Sequence, residues 1–336
     1  MVSLIKWFAS LNLAAGMALA MPSYAEGTAI LNVSYDASRE FYHDYNLAFS
    51  RFWQAKTSQT VTIQQSHGAA SLQVRKVLDG LEADVVTMNQ QTDIELLAAS
   101  GLVDSNWRHR LPYNSAPYAS TIVFLVRKGN PKAIHDWDDL ARPNLQVIVP
   151  HPKTSGTGRY SYLAAWGYAQ RKYGSEPQAQ DFVARLFGNA PILNTGSRAA
   201  TLTFIQRNIG DVLLTFESEV LLITREFNAA DFEVVTPSVS ILAEAPVAVV
   251  DAVVDKKGTR QVAEAYLDYL FSPEAQRIAA VHYFRPQLPA IAAEYAERFA
   301  PLDLFTVDEL FGGWQRAQQT HFADGGTFDR IYSPGG

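Results

Sequence analysis

The stretch AILNVSYDASREFYHDYNLAFSRFWQAK, Ala29 to Lys56, decides the reading of the fold. Its first eight residues alternate apolar and polar side chains, the period of a half-buried strand. From Phe41 onward the apolar residues change period: Phe41, Tyr45, Phe49, Phe52 and Trp53 fall on one face of a helix. Between the two runs lies Ser34-Tyr35-Asp36-Ala37-Ser38, a short polar turn from strand into helix. The same order repeats at once. VTIQQS (Val61 to Ser66) reads as strand, SLQVRKVLDG (Ser71 to Gly80) as helix and ADVVTM (Ala83 to Met88) as strand. Strands alternating with helices predict an α/β fold, a mainly parallel sheet flanked by helices.

Past Pro112 a second series of the same kind begins. STIVFLVRKGNP and LQVIVP read as buried strands, and HPKTSGTGRYSYLAAWGYAQRKYG as a loop feeding a helix. DVLLTFESEVLLITREF is a strand passing into a helix, VAVVDAVV another strand, and TRQVAEAYLDYLFSPEAQRIAA a pair of helices with Pro273 opening the second. Two α/β lobes are the economical arrangement. Crossovers near 115–125 and 243–252 give residues 26–118 and 250–336 to the first lobe and 119–249 to the second. A cleft between two such lobes is where a small ligand binds.

Residues 1–25 have the parts of a secretory signal peptide: a single charge at Lys6, an apolar run from Trp7 to Ala20, and Pro22-Ser23-Tyr24-Ala25. The apolar run is short of the roughly 20 residues a membrane span needs, so export with cleavage near Ala25 is expected. With 48% hydrophobic and 18% charged residues, the chain has an ordinary globular composition. The absence of cysteine excludes a disulfide framework, a thiolate nucleophile and cysteine-bound metal. Met88 is the one methionine beyond the leader, which suits a protein made when sulfur is scarce. A formal charge of −6 gives no basic surface for nucleic acid.

Four segments share one composition, small residues between a strand's end and a helix's start: Ser34 to Ser38, Ser66-His67-Gly68-Ala69-Ala70-Ser71, Lys153-Thr154-Ser155-Gly156-Thr157-Gly158 and Asn194-Thr195-Gly196-Ser197. Each presents unpaired backbone N–H groups at the positive end of a helix, a ready site for an anion. One alone would be an ordinary helix cap; four make a pattern. Catalysis finds little support. The seven histidines show no metal spacing, and His67 is expected to hold the loop by hydrogen bonds. Ser155 has no nearby base, KTSGTG is not a nucleophile elbow, and the order of a P-loop is absent. Glu217 and Glu219 alternate along one element and need not face each other.

NVSYDASRE (Asn32 to Glu40), QSHGAAS (Gln65 to Ser71), ADVVT (Ala83 to Thr87), HPKTSGTGRY (His151 to Tyr160), GDVLLTFESE (Gly210 to Glu219) and FGGW (Phe311 to Trp314) carry a further signal. Together they resemble the bacterial periplasmic sulfate- and thiosulfate-binding proteins, the solute-binding components of ABC importers. The resemblance runs from about Leu31 to Tyr332. It implies a type II two-lobed periplasmic binding protein, exported to the periplasm and monomeric, that hands its ligand to a membrane permease. It implies no enzyme activity, cofactor or metal. It also implies a dehydrated dianion held by neutral donors: the backbone N–H groups of Asp36, Ala70, Gly156, Thr157 and Ser197, with the hydroxyl of Ser155.

Ser66, Arg159 and Arg198 would stand behind these donors, the arginines bonded to carboxylates or carbonyls rather than to the anion, with Asp84 and Asp93 as candidate partners. Thr157 departs from the glycine common in the family and would strain a loop that needs positive φ. Phe216 stands where sulfate-specific relatives carry a tryptophan whose indole donates to the anion. Its FESEV context resembles the thiosulfate-binding branch. An aromatic edge suits a soft sulfur better than an N–H does, so thiosulfate together with sulfate is the expected ligand pair. Sulfate alone, or molybdate or phosphate, are the alternatives.

Overall fold

The computed structural model describes residues 28–226 and 231–332. The expected leader and its cleavage point near Ala25 lie outside the described residues. Thr28–Tyr35 forms the central strand of the first lobe. It pairs in parallel with Val61–Gly68 on one side and Val85–Thr87 on the other, and Val247–Val249 closes the far edge antiparallel. The register sets Tyr35 opposite Gly68 and Ser34 opposite Thr87, so the three parallel strands end together at one edge of the sheet. The helix Arg39–Thr57 buries Phe41, Tyr45, Phe49 and Trp53 against this sheet and against Tyr266. The helical period of these aromatic residues decides which face turns inward.

The second lobe has a five-stranded sheet in the order Leu193–Asn194, Val147–Pro150, Val212–Phe216, Ile122–Arg127, Phe232–Val235. The first three are parallel, and Ile122–Arg127, arriving from the other lobe, adds two antiparallel pairings. VIVP and VLLTF are buried throughout, as expected of strands covered on both faces. The helices Gly156–Tyr173 and Glu176–Gly188 cover one side.

The chain passes between lobes near residue 120, since Tyr118 belongs to the first core and Ile122 to the second. It returns between Ala243 and Ala245. Tyr118–Ser120, Ala243–Glu244 and Arg285–Pro286 form a small antiparallel sheet at these crossings. Two expectations need correcting. VAVVDAVV is a strand only to Val249, and Asp251–Lys257 is helical. More consequentially, the tail does not stay with the first lobe. Asp303–Phe305 pairs with Val239–Ile241 of the second. Phe305, Trp314, Phe322 and Phe328 are buried in the second lobe's core. The chain therefore crosses a third time, between Phe284 and Phe305, because the apolar face of Gly156–Tyr173 needs cover that its own lobe does not supply.

Candidate functional site

The strand ends of both sheets face each other across the interlobe space, and the predicted residues sit there. Asp36 opens a single 3-10 turn directly after Tyr35. Ala70 starts the helix Ala70–Leu78, whose first internal bonds are made by Leu72 and Gln73 to the carbonyl of Ala69. The amides of Ala70 and Ser71 therefore precede the helical ladder. Gly156 and Thr157 open the helix Gly156–Tyr173, and Ser155 is its N-cap. The Ser155 hydroxyl oxygen accepts from the Gly158 amide at 3.5 Å, which leaves its own proton to donate elsewhere. Ser197 opens the helix Ser197–Ile205. Ala70, Ser155, Thr157 and Ser197 are each at most 3% exposed.

Contacts within and between the lobes bring these helix starts together. Within the second lobe, the hydroxyls of Thr157 and Ser197 are hydrogen-bonded to each other. The Arg198 amide donates to Asp36 Oδ2 at 3.2 Å, joining the second lobe to the first. A Cβ added at Gly196 would stand 2.7 Å from that oxygen and 3.3 Å from the Ala69 side chain. One added at Gly156 would fall 2.1 Å from Asn89 Oδ1 of the first lobe. Gly156 is thus required by the approach of the opposite lobe. Thr157 is not among the residues with positive φ. The loop strain expected of it is absent, since the residue lies within the helix rather than ahead of it.

The arginines stand behind the helix starts. Arg159, 7% exposed, lies 3.9 Å from Asp93 of the first lobe and donates to the Lys153 carbonyl at 3.4 Å. Burial raises the Asp93 pKa while the Arg159 charge and the Gln90 amide lower it. Arg198 grips both oxygens of Glu40 at 2.9 and 3.0 Å, again across the lobes. Of the two candidate partners, Asp93 is met by Arg159. Asp84 pairs instead with Lys257 and Thr259 inside the first lobe. Ser66 bonds the Gln73 side chain at 3.1 Å, and Gln73 donates to the Ser34 carbonyl at 3.2 Å, tying the helix Ala70–Leu78 to the end of the central strand. His67 contacts the Tyr35 carbonyl, and burial with the nearby Arg39 charge lowers its pKa to about 4, so it is neutral at pH 7.

Phe216 ends its strand 2% exposed, with its ring edge-on to Tyr160 at 5.9 Å and within the second lobe's core. Two residues that the sequence reading passed over also lie at the cleft. Asn89 packs on Gly156 with its Oδ1 buried and without a partner. Glu219, 1% exposed, accepts at Oε2 from the Thr201 hydroxyl at 3.3 Å. Neither sits in a small-residue loop, the one feature that marked the others. A cavity of about 680 Å³ lies between Trp166, Glu176, His321 and Arg330, away from these helix starts. Its wall carries Glu176, Asp181 and Arg330.

The signature of bacterial extracellular solute-binding proteins matches residues 36–285. The chain belongs to that family. This solute-binding protein is 57% identical over 328 residues to the thiosulfate-binding protein of Pseudomonas aeruginosa, covering 97% of this chain and 98% of the relative. It is 55% identical over 308 residues to the sulfate-binding protein of Salmonella typhimurium, with 91% and 94% covered. Among solved structures, the sulfate-binding protein SubI from Mycobacterium tuberculosis superposes with a TM-score of 0.79 at 32% identity, over 87% of this chain and 98% of that one. The type II periplasmic binding fold follows from these matches and from the two sheets described above.

Proposed function

We propose that the protein captures thiosulfate and sulfate outside the cytoplasmic membrane, as a monomer, and delivers them to the permease of an ABC importer. The observation that carries this reading is the approach of helix starts from the two lobes to one another, joined by the Arg198 amide donating to Asp36 Oδ2. Asp36 and Ala70 come from the first lobe, and Ser155, Gly156, Thr157 and Ser197 from the second. The named relatives supply the ligand class. The mechanism is binding by neutral dipoles. Each hydrogen bond to a charged group is worth roughly 1.5–3 kcal/mol net. Six give about 9–18 kcal/mol before ordering and closure are subtracted, against about 8 for micromolar affinity. Arg159 and Arg198 hold carboxylates and so fix the lobes without touching the anion. The reading requires no turnover at the site.

The role of Phe216 follows from what it lacks. With no donor, it leaves one face of the site open to a larger, softer atom, which favours thiosulfate beside sulfate. A thermal-shift panel tests the reading. Thiosulfate and sulfate are expected to raise the melting temperature, while molybdate and phosphate leave it unchanged. Equal stabilisation by phosphate would refute a site built of donors, because phosphate near neutral pH carries a proton that needs an acceptor. Size-exclusion chromatography with light scattering checks the monomer.

A further inference from the structure

Between the strand Val85–Thr87 and the helix Gln91–Ala99 the chain makes one more turn at the sheet edge where Asp36 and Ala70 stand. Its residues Asn89 and Gln90 carry amides rather than small side chains, and they are only 5% and 0% exposed. Gln90 serves the fold. Its amide donates to Asp93 Oδ2 at 2.8 Å, and Asp93 meets Arg159 across the lobes at 3.9 Å. Asn89 is different. Its Oδ1 is buried and has no hydrogen-bond partner among the described residues. An asparagine kept for the fold alone would pair that oxygen, since an enclosed acceptor without a donor is destabilising.

The Asn89 carboxamide lies against Gly156 of the opposite lobe, where an added Cβ would stand 2.5 Å from both Cγ and Nδ2. Gly156 and Thr157 open their helix ahead of its ladder: Arg159 donates to the Ser155 carbonyl at 3.0 Å, and the Gly158 amide is taken up by the Ser155 hydroxyl. The N–H groups of Gly156 and Thr157 precede these bonds. Asn89 thus reaches from the first lobe to the donors that the second lobe offers an anion. Phe216, by contrast, has no donor to give. Resting on the reading of the cleft as a site for a sulfur oxyanion, we propose that Asn89 is a further ligand-binding residue, whose Nδ2 donates to an oxygen of the thiosulfate or sulfate held at Gly156 and Thr157. With Nδ2 turned to the anion, Oδ1 of the same planar group points away into packed protein, which accounts for its lack of a partner. The donor is neutral, so it adds a bond without adding charge. It comes from the lobe opposite Gly156, so the bond forms only when both lobes meet around the ligand.

The test joins titration calorimetry, with sodium thiosulfate and sodium sulfate in a chloride buffer, to NMR of the isotope-labelled mature protein. Losing one hydrogen bond to a charged group corresponds to a roughly ten- to hundredfold loss of affinity. Asn89→Ala should show that loss with both salts, while its melting temperature without ligand stays close to that of wild type. A merely structural asparagine would give the reverse, a lower melting temperature with affinity kept. Asn89→Asp has the same shape but puts an acceptor where the donor stood, and it should bind neither salt measurably. In wild type the Asn89 side-chain N–H signals, identified by their absence from either variant, should move downfield as each ligand saturates the site. That measurement decides the matter should Asn89→Ala fail to fold. Wild-type affinity in Asn89→Ala, or side-chain signals that stay in place at saturation, overturns the inference while leaving the ligand assignment standing. No heat with either salt in wild type removes both.

Discussion

At Gly156 a hydrogen atom decides whether the lobes can meet, since any Cβ would collide with Asn89 of the opposite lobe. Gly156→Ala should leave the melting temperature of the free protein within a few degrees, because helix starts tolerate alanine. It should weaken thiosulfate binding by at least a hundredfold in calorimetry, because the closed cleft is what it obstructs. Phe216 is a subtler position. Its ring is packed against Tyr160, so Phe216→Trp overfills the site and should cost about 1–3 kcal/mol of stability. The added indole donor should nevertheless move the thiosulfate-to-sulfate affinity ratio toward sulfate. An unchanged ratio would remove the reason for assigning Phe216 to ligand choice. At this scale the small-residue loops disclosed where donors lie, because backbone amides at helix starts follow from local sequence. They could not disclose Asn89 or Glu219, whose surroundings are assembled from segments far apart in the chain.

Among the elements, the helices Arg39–Thr57 and Ser197–Ile205 are joined by the two-pronged bond of Arg198 to Glu40. The pair is about a quarter exposed, so its worth is that of a partly screened ion pair, on the order of 1 kcal/mol. It exists only when the lobes are together, so that energy biases closure. Glu40→Gln should therefore raise the ligand off-rate about fivefold in stopped-flow measurements and leave the on-rate nearly unchanged. The helices Gln91–Ala99 and Glu176–Gly188 went unread, but the strands and helices named up to Val281 were legible because their periods are strong and their turns carry Gly, Pro or Ser. VAVVDAVV was not. Its valine-rich run hides the point where Asp251 starts a helix, and Asp251 is held there by Arg110 and Arg260, contacts that no local pattern announces.

Over the whole molecule, the tail binds the lobe that the order of the chain would not assign to it. Phe305, Trp314, Phe322 and Phe328 pack into the second core, and Lys153, beside the Ser155 cap, is paired with Asp324 and Asp329 of the tail. The tail therefore supports the cleft from behind. Truncation after Ala300 should expose those aromatic residues and unfold the second lobe while the first persists. Hydrogen exchange would show this as lost protection in 122–241 with 28–99 still protected. Uniform loss in both lobes would mean that the tail serves the first as well. The ionic balance of the closed molecule has a direction too. Glu219 titrates near 7 when folded, against an ordinary value of 4.5. Its contribution to the stability of the ligand-free fold is thus fully present below about pH 4.5 and is lost as the pH rises through 7. The melting temperature of the free protein should accordingly fall between pH 6 and pH 8 in wild type, and the fall should be shallower in Glu219→Gln. Parallel slopes in the two proteins would place the titrating group elsewhere in the cleft, with burial-raised Asp36 as the first candidate.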